Sequence, residues 1–263
     1  MYSEQTTRLK TPLSPRSTFL TRLVPRVQTS STLYLVDVLN TQDPSVTELS
    51  TQTRTNGWID YAQLKPISDA LGNPFYLDIV DINGYNHLVN VPIQAGADYI
   101  QLTGLNSSIS YEVLAIVGYN PALQTAYVLT THAGPTERHL FEVTVVFNAG
   151  SVPTETQLDP VGVEGYYSVS FSTYGTYYLL TYDGPNVPYQ LLLSVNNSAI
   201  PEPVNITIED NAALQATLET YAMPKVTYFT VVLADSVGNE TEFNVMQISP
   251  ERFDIYNQVK SKR

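Results

Sequence analysis

Acyl transfer by a serine nucleophile is the first chemistry to test, because the 263-residue sequence contains serine, histidine and acidic residues but no cysteine. Such a serine needs a tight strand-to-helix turn, usually Gly-x-Ser-x-Gly, which exposes its oxygen and lets backbone N–H groups stabilise the oxyanion. No glycine in the sequence begins that pattern. The nearest candidate, Ser168, follows Gly165 inside an expected strand. We therefore predict a structural role for Ser168 and no catalytic serine.

Three histidines, His87, His132 and His139, are candidates for general bases or metal ligands. His87 and His139 occupy equivalent places in two expected return strands, and we interpret them as residues set by a repeat. A metal site needs a compact spacing of histidine and carboxylate ligands, which the sequence lacks, and zinc sites with thiolate ligands are excluded by the absence of cysteine. We predict no metal and no cofactor.

Carboxylates stand close together at two places, near Asp78 and Asp81 and near Glu202, Glu209 and Asp210. Glycoside hydrolysis needs two carboxyl groups about 5–10 Å apart in opposite environments. All five residues lie near expected turns, where acidic residues commonly serve as caps and keep the chain in solution. We therefore predict that they are structural, which leaves no catalytic residue in the prediction.

An internal repeat indicates which elements carry these side chains. Tyr76, Tyr127 and Tyr178 are spaced by 51 residues, and a glycine follows each tyrosine at a spacing of 50, at Gly84, Gly134 and Gly184. Around each pair an apolar strand, a polar turn and a second apolar strand recur. A period of about 40 to 50 residues made of strands is typical of propeller blades.

The expected fold is all-β, a partial β-propeller of about three four-stranded blades plus a fragment. The fragment contributes one strand at 32–39, after which no clear strand pattern appears before Gly57. The strands of the three repeats are expected at 58–61, 75–80, 87–91 and 99–103, then at 111–117, 126–131, 139–146 and near 156, and finally at 166–171, 177–182, 188–195 and 204–208.

The strand repeat ends at residue 209, and the sequence pattern after it is different. Asp210 or Asn211 can cap a short helix that Pro224 ends, and strands at 226–233 and 242–248 form a C-terminal hairpin around Gly238-Asn239. We therefore divide the chain into a disordered or truncated leader at 1–26, propeller blades at 27–209, and a connecting helix and hairpin at 210–263.

Charge argues against nucleic acid as a partner. Nine of the 13 basic residues lie near the two ends, and residues 27–251 hold four basic residues against 23 acidic ones, a net charge of −19. A field of that sign repels phosphate backbones. No apolar run approaches the roughly 18 residues that a membrane span needs, so no membrane segment is expected. Four sequons, at Asn106, Asn196, Asn205 and Asn239, are glycosylation candidates.

Motifs along most of the chain resemble the dipeptidyl peptidase IV family of serine exopeptidases, of the prolyl oligopeptidase type. The last blade of that family's propeller is similar to residues 165–172 and 177–189, and the helix that follows it is similar to 208–214, with its exit at Met223-Pro224. Further similarities occur at Gly57-Trp58, Gly84-Tyr85-Asn86-His87, Tyr111-Glu112-Val113, Pro25-Arg26-Val27 and 32–37.

The resemblance implies the C-terminal part of a propeller that gates access of peptides to a serine peptidase and helps to form a homodimer. It also implies that the catalytic α/β-hydrolase domain follows the point where this sequence stops, and that the family's paired glutamates have no counterpart here. The chain alone is then expected to be inactive, with a peptide substrate only in a full-length enzyme. The family is membrane-anchored, vacuolar or secreted, and no signal or anchor is visible here.

Two other interpretations stay open at this stage. The chain could be a stand-alone propeller that binds a protein or glycan partner. It could also be a truncated gene model without independent function, because unpaired strand edges in a partial array favour aggregation.

Overall fold

The structure, a computed structural model, describes residues 18–23, 29–37, 45–54, 58–59, 64–105, 110–148, 150–195 and 203–249. Within these residues the chain forms seventeen strands and one short helix. The strands make four antiparallel sheets, called I to IV in chain order, and a separate two-stranded ribbon. The predicted all-β partial propeller is confirmed.

Sheet I is the expected fragment, and it has three strands where the sequence predicted one. It contains β1 (Thr18–Leu23), β2 (Ser30–Asp37) and β3 (Ser45–Thr53). Strand β1 lies within residues 1–26, assigned above to a leader, and all six of its residues pair with β2. Strand β3 has no clear apolar pattern because it is rich in Ser and Thr, and Leu49 is its one buried residue.

Sheet II contains the first complete repeat. Its strands are β4 (Lys65–Ser68), β5 (Pro74–Ile82), β6 (Tyr85–Pro92) and β7 (Ile100–Gln101). The first strand was predicted at 58–61, but Trp58 is outside any strand and 70% exposed, and residues 60–63 lie outside the described residues. Pro66 obscures the actual strand, because proline has no N–H to donate and is tolerated only at a sheet edge such as β4.

Sheets III and IV contain the second and third repeats, at close to the predicted positions. Sheet III consists of β8 (Val113–Asn120), β9 (Thr125–Thr130), β10 (His139–Thr144) and β11 (Glu155–Gln157). Sheet IV consists of β12 (Tyr166–Phe171), β13 (Tyr177–Gly184), β14 (Tyr189–Ser194) and β15 (Asn205–Glu209). In sheets II, III and IV, each strand pairs with the next one along the chain.

The segment after sheet IV packs little against the rest of the chain. Helix α1 (Ala212–Leu218) buries none of its residues. Strands β16 (Lys225–Ala234) and β17 (Glu240–Ser249) form the predicted hairpin and pair over ten residues each. The turn between them is closed by Asp235, whose Oδ1 accepts the N–H groups of Val237 and Asn239, both at 2.9 Å.

Three apolar clusters lie between successive sheets. The cluster between sheets I and II contains Leu20, Leu33, Leu49, Leu64, Tyr76, Val80, Val89 and Val91. The cluster between II and III contains Leu77, Ile79, Leu88, Leu102, Tyr111, Val113, Val128 and Phe141, among others. The cluster between III and IV contains Tyr127, Leu140, Tyr167, Tyr178, Leu180, Tyr182 and Val195. Among the described residues, no buried cluster joins sheet I to sheet IV.

The repeated tyrosines do not all face the same way. Each lies on the second strand of its sheet, but Tyr76 packs toward sheet I, which precedes its own, whereas Tyr127 packs toward sheet IV, which follows its own. Tyr178 packs back toward sheet III, in the same cluster as Tyr127. Side chains alternate between the two faces of a strand, so a shift of one residue between repeats reverses the direction of a side chain.

We expect Leu88→Ala to lower the free energy of unfolding by about 2–5 kcal/mol, because Leu88 is fully buried between sheets II and III and its loss leaves a cavity. Leu71→Ala is the matched control, since Leu71 is 88% exposed in the turn before β5, and its effect should stay within about 0.5 kcal/mol. Urea unfolding of both variants measures the difference. Equal effects would contradict the inter-sheet core.

Candidate functional site

A cavity of about 350 Å³ lies where sheets I and II meet the entry to sheet III. Strands β3 and β5 supply most of its walls, and residues 112–114 close one side. Its polar and charged lining includes Gln52, Arg54, Asp78, Asp81, Tyr99 and Glu112. Three carboxylates face one guanidinium, so the lining is negative, in keeping with the acidic charge of the surrounding chain.

Asp78 and Asp81, the predicted carboxylate pair, both line this cavity. Asp78 is 1% exposed, accepts the N–H of Ile79 at 2.9 Å, and accepts a hydrogen bond from Gln52 Nε2 at 3.3 Å. Asp81 forms an ion pair with Arg54 and accepts the N–H of Gly84 at 3.2 Å. Both carboxylates therefore receive hydrogen bonds that hold the chain in place.

Arg54 connects the two sheets at the cavity. It follows β3 of sheet I, its Nη2 pairs with Asp81 of sheet II, and its Nη1 donates to the carbonyl of Trp58 at 2.7 Å. A guanidinium beside a carboxylate favours the ionised form, so Asp81 does not suit the role of the general acid that glycoside hydrolysis requires. The interpretation of Asp81 as a structural residue fits this geometry.

The second set of carboxylates, Glu202, Glu209 and Asp210, forms no common site among the described residues. Glu209 Oε1 accepts the N–H of Asn211 at 2.8 Å, and Asp210 Oδ1 accepts the N–H of Ala212 at 2.9 Å. These bonds order the exposed entry to helix α1, and Asn211 makes no side-chain capping bond. Glu202 lies outside the described residues.

His87 and His139 stand at equivalent positions, as predicted. In sheet II the hydroxyl of Thr103 accepts the N–H of Leu88 at 2.9 Å and lies 3.3 Å from His87 Nδ1. In sheet III the carboxylate of Asp159 accepts the N–H of Leu140 at 2.7 Å and lies 2.5 Å from His139 Nδ1. Each histidine thus precedes a leucine whose N–H is bound by a side chain just beyond the outermost strand.

His87 is buried in tight surroundings. Burial lowers its pKa, which favours the neutral imidazole, and its ring lies edge-on to Tyr111 at 5.5 Å between centroids. Gly104 has φ +75°, and a Cβ at Gly104 would lie 2.3 Å from His87 Cε1. The absence of a side chain at Gly104 thus lets His87 pack against it. The Gly104 N–H donates to the Tyr111 hydroxyl at 2.9 Å, and that hydroxyl donates to Glu155. His87 therefore packs against a fixed polar network.

Ser168 is separate from these environments, whereas His132 borders that of His87 through Tyr111. Ser168 is exposed on β12 and pairs with Thr181 across the sheet, whereas the neighbouring Tyr167 is buried. The His132 ring lies 4.8 Å from the ring of Tyr111 and 4.9 Å from that of Phe141. Within the described residues, no hydrogen bond joins Ser168 to a histidine.

The described part of the chain offers neither a metal cluster nor a membrane-spanning helix. It contains no group of three or more His, Cys, Asp or Glu side chains arranged to hold a metal ion. None of its helices has the length and apolar character needed to span a membrane. Of the glycosylation candidates, Asn205 and Asn239 are exposed, on β15 and in the ribbon turn, while Asn106 and Asn196 lie outside the described residues. Their use for glycans stays a prediction.

Comparison with known proteins identifies the family of this chain. The family model described as "Dipeptidyl peptidase IV (DPP IV) N-terminal region" matches residues 11–189, more than half of the chain. The chain belongs to this family. The resemblance stated from sequence motifs is therefore confirmed.

Three fungal relatives, each described as "Probable dipeptidyl peptidase 4", match most of the chain. The relative from Aspergillus flavus is 35% identical over 232 residues, which cover 87% of this chain and 27% of the relative. The relative from Neosartorya fischeri is 36% identical over 232 residues, covering 87% and 28%. The relative from Trichophyton verrucosum is 35% identical over 201 residues, covering 76% and 24%. The chain spans about a quarter of the length of these relatives.

Sequence reasoning missed three side chains that organise this family member's polar interior: Arg54, Glu155 and Asp159. Arg54 gave no signal, because its segment had no recognisable strand. Asp159 did give one, since a polar residue follows each histidine near the end of its repeat, at Thr103 and at Asp159. Glu155 lies in a three-residue strand too short for a pattern.

We expect Tyr111→Phe to lower the free energy of unfolding by about 1–3 kcal/mol, because it removes the hydroxyl that joins the Gly104 N–H to Glu155. Tyr119→Phe is the matched control. The Tyr119 hydroxyl is buried without a hydrogen-bond partner among the described residues, so its removal should be neutral or stabilising. Urea unfolding compares the two, and an equal loss would contradict the network.

Proposed function

We propose that this chain is the non-catalytic propeller portion of a dipeptidyl peptidase IV-type serine peptidase, in which it controls substrate access and contacts other parts of the enzyme. The observation that carries the proposal is the family match over residues 11–189, together with relatives of which the chain spans only about a quarter. Peptide hydrolysis is then the task of the hydrolase domain in a longer protein.

The environments of the candidate nucleophile and the candidate bases support a non-catalytic role. Ser168 is exposed within a regular strand and has no tight turn around it. His87 is buried against Thr103 and Tyr111, and His139 is held between carboxylates. A nucleophile needs a base within hydrogen-bond reach, and neither histidine hydrogen-bonds to Ser168 in the described residues.

The negative cavity supports a role in substrate access. Its lining carries Asp78, Asp81 and Glu112 against Arg54 alone. A negative concave surface raises the local concentration of cationic groups, and the amino terminus of a short peptide is such a group. Tyr99, half exposed at the cavity, offers an apolar surface beside these charges.

The ribbon supports contact with another domain. Tyr228 pairs with Met246 on one face, and Val231 pairs with Phe243 on the other. Six of its large apolar residues are exposed: Phe229, Val232, Leu233, Phe243, Met246 and Ile248. Strands that are apolar on both faces suit a sheet that is covered on both sides, so we propose that the ribbon leads into the hydrolase domain. The homodimer and the peptide substrate that the resemblance implies remain predictions.

A chimera tests this proposal. The region of the Aspergillus flavus relative that matches this chain is replaced by the matched residues of this chain, and release of dipeptide from an Xaa-Pro anilide is measured. We expect turnover by the chimera, none by the chain alone, and no effect of Ser168→Ala in the chimera, because Ser168 is outside any catalytic arrangement.

Two results would contradict the proposal. Turnover by the chain alone that disappears on Ser168→Ala would make the chain itself an enzyme. A chimera that is monodisperse and unfolds cooperatively, but releases no dipeptide, would show that this chain cannot serve as the propeller portion.

A further inference from the structure

A cluster of buried charges lies at the junction of sheets III and IV, away from the cavity. His139 is 1% exposed and Asp159 is 3% exposed. His139 Nδ1 lies 2.5 Å from Asp159 Oδ2, and His139 Nε2 lies 2.8 Å from Glu137 Oε2. Each ring nitrogen therefore faces a carboxylate oxygen at hydrogen-bond distance.

This arrangement favours the imidazolium form of His139. A neutral imidazole carries one N–H, and its other nitrogen would place a lone pair against a carboxylate. Burial alone lowers the pKa of His139, but the hydrogen bonds that its ring donates to Asp159 and Glu137, together with the charges of these carboxylates, outweigh burial and raise the pKa above its ordinary value. The two carboxylates and the histidine are mutually dependent, because removing the proton would leave buried negative charge without its counter-ion.

The same cluster fastens the start of sheet IV. Glu137 Oε2 also accepts the N–H of Gly165 at 3.2 Å. The backbone of Arg138, between Glu137 and His139, accepts the N–H of Tyr167 at 3.0 Å and donates to the carbonyl of Gly165 at 3.1 Å. The residues just before β10 therefore hold the chain at the start of β12.

Other groups around the imidazole are neutral or point elsewhere. The amide Nε2 of Gln157 lies 3.2 Å from both Asp159 Oδ2 and His139 Nδ1. Because both ring nitrogens of an imidazolium are donors, the amide hydrogen goes to the Asp159 carboxylate. The Tyr167 ring lies 5.5 Å from the His139 ring and burial raises its pKa, while burial raises the pKa of Tyr178, near Asp159, to about 12. The Arg138 guanidinium lies over the Tyr166 ring at 5.4 Å. Among the described residues, only His139 forms an ion pair with Asp159 or Glu137.

We propose that His139 is a proton-dependent clamp, whose imidazolium fastens sheet III to sheet IV and whose deprotonation loosens the start of β12. The equivalent junction between sheets II and III lacks this device, because His87 faces the hydroxyl of Thr103 and makes no hydrogen bond to any carboxylate that the structure describes. The clamp makes one inter-sheet joint of the array sensitive to pH while its neighbour keeps a neutral histidine.

The direction of the pH effect follows from linkage. A histidine whose pKa is raised by folding stabilises the folded chain fully below its unfolded pKa of about 6.5, and this stabilisation disappears as the pH rises through the folded value. The pH dependence of the His87 contribution has the opposite sign. Because folding lowers the pKa of His87, this residue destabilises the folded chain as the pH falls.

Amide hydrogen exchange of the full 263-residue chain tests the clamp directly. After correction for the intrinsic rate, we expect protection of the Gly165 and Tyr167 amides to fall at least about tenfold between about pH 6 and about pH 9. Protection of the Leu88 amide, at the equivalent joint, should not fall in parallel. Equal protection of Gly165 and Tyr167 at both pH values would overturn the proposal, and this measurement needs no variant.

Thermal unfolding of two variants gives a second test. His139→Gln should lower the midpoint by on the order of 5 °C at about pH 6, and the difference from the unmodified chain should shrink toward about pH 9. His87→Gln is the matched control. The difference between its unfolding midpoint and that of the unmodified chain should not shrink from about pH 6 to about pH 9. A His139→Gln difference that is the same at both pH values would show that His139 merely fills space, and would overturn the clamp.

Discussion

Apolar packing between successive sheets is the interaction on which the rest of this structure depends. Sheets II and III each bury side chains on both faces, as Tyr76 and Leu77 show on β5 and Ala126 and Tyr127 show on β9. A sheet with two apolar faces cannot bury them alone, so each one needs a neighbour on either side. The cavity, the buried histidines and the junction polar networks all lie where one sheet meets the next.

Buried polar side chains appear in this array because the strands end at different points. Beyond the short outer strands β7 and β11, Thr103 and Asp159 bind the N–H groups of Leu88 and Leu140, which would otherwise be buried without partners. A histidine beside each acceptor then becomes part of the same network. The hydrogen-bonding needs of the sheets therefore account for His87, His139 and Asp159, whose residue types suggest catalysis.

Local patterns predicted much of the fold. Sheets III and IV followed from alternating apolar residues and from turns, and the ribbon followed from Gly238-Asn239. Strand β3 could not be predicted because its side chains are mostly exposed Ser and Thr, and β4 was hidden by Pro66. The histidine equivalence was visible in sequence, but the pairing of His139 with both Glu137 and Asp159 was not, since these residues lie two positions before and twenty positions after His139 and meet only in the folded chain.

The central claim is that inter-sheet packing makes sheets I to IV one folded unit. Differential scanning calorimetry of a monodisperse sample of the chain tests it most directly. We expect a single transition whose calorimetric enthalpy equals its van't Hoff enthalpy. A broad or absent transition, or a calorimetric enthalpy well above the van't Hoff value, would contradict the claim and show that the sheets do not fold together.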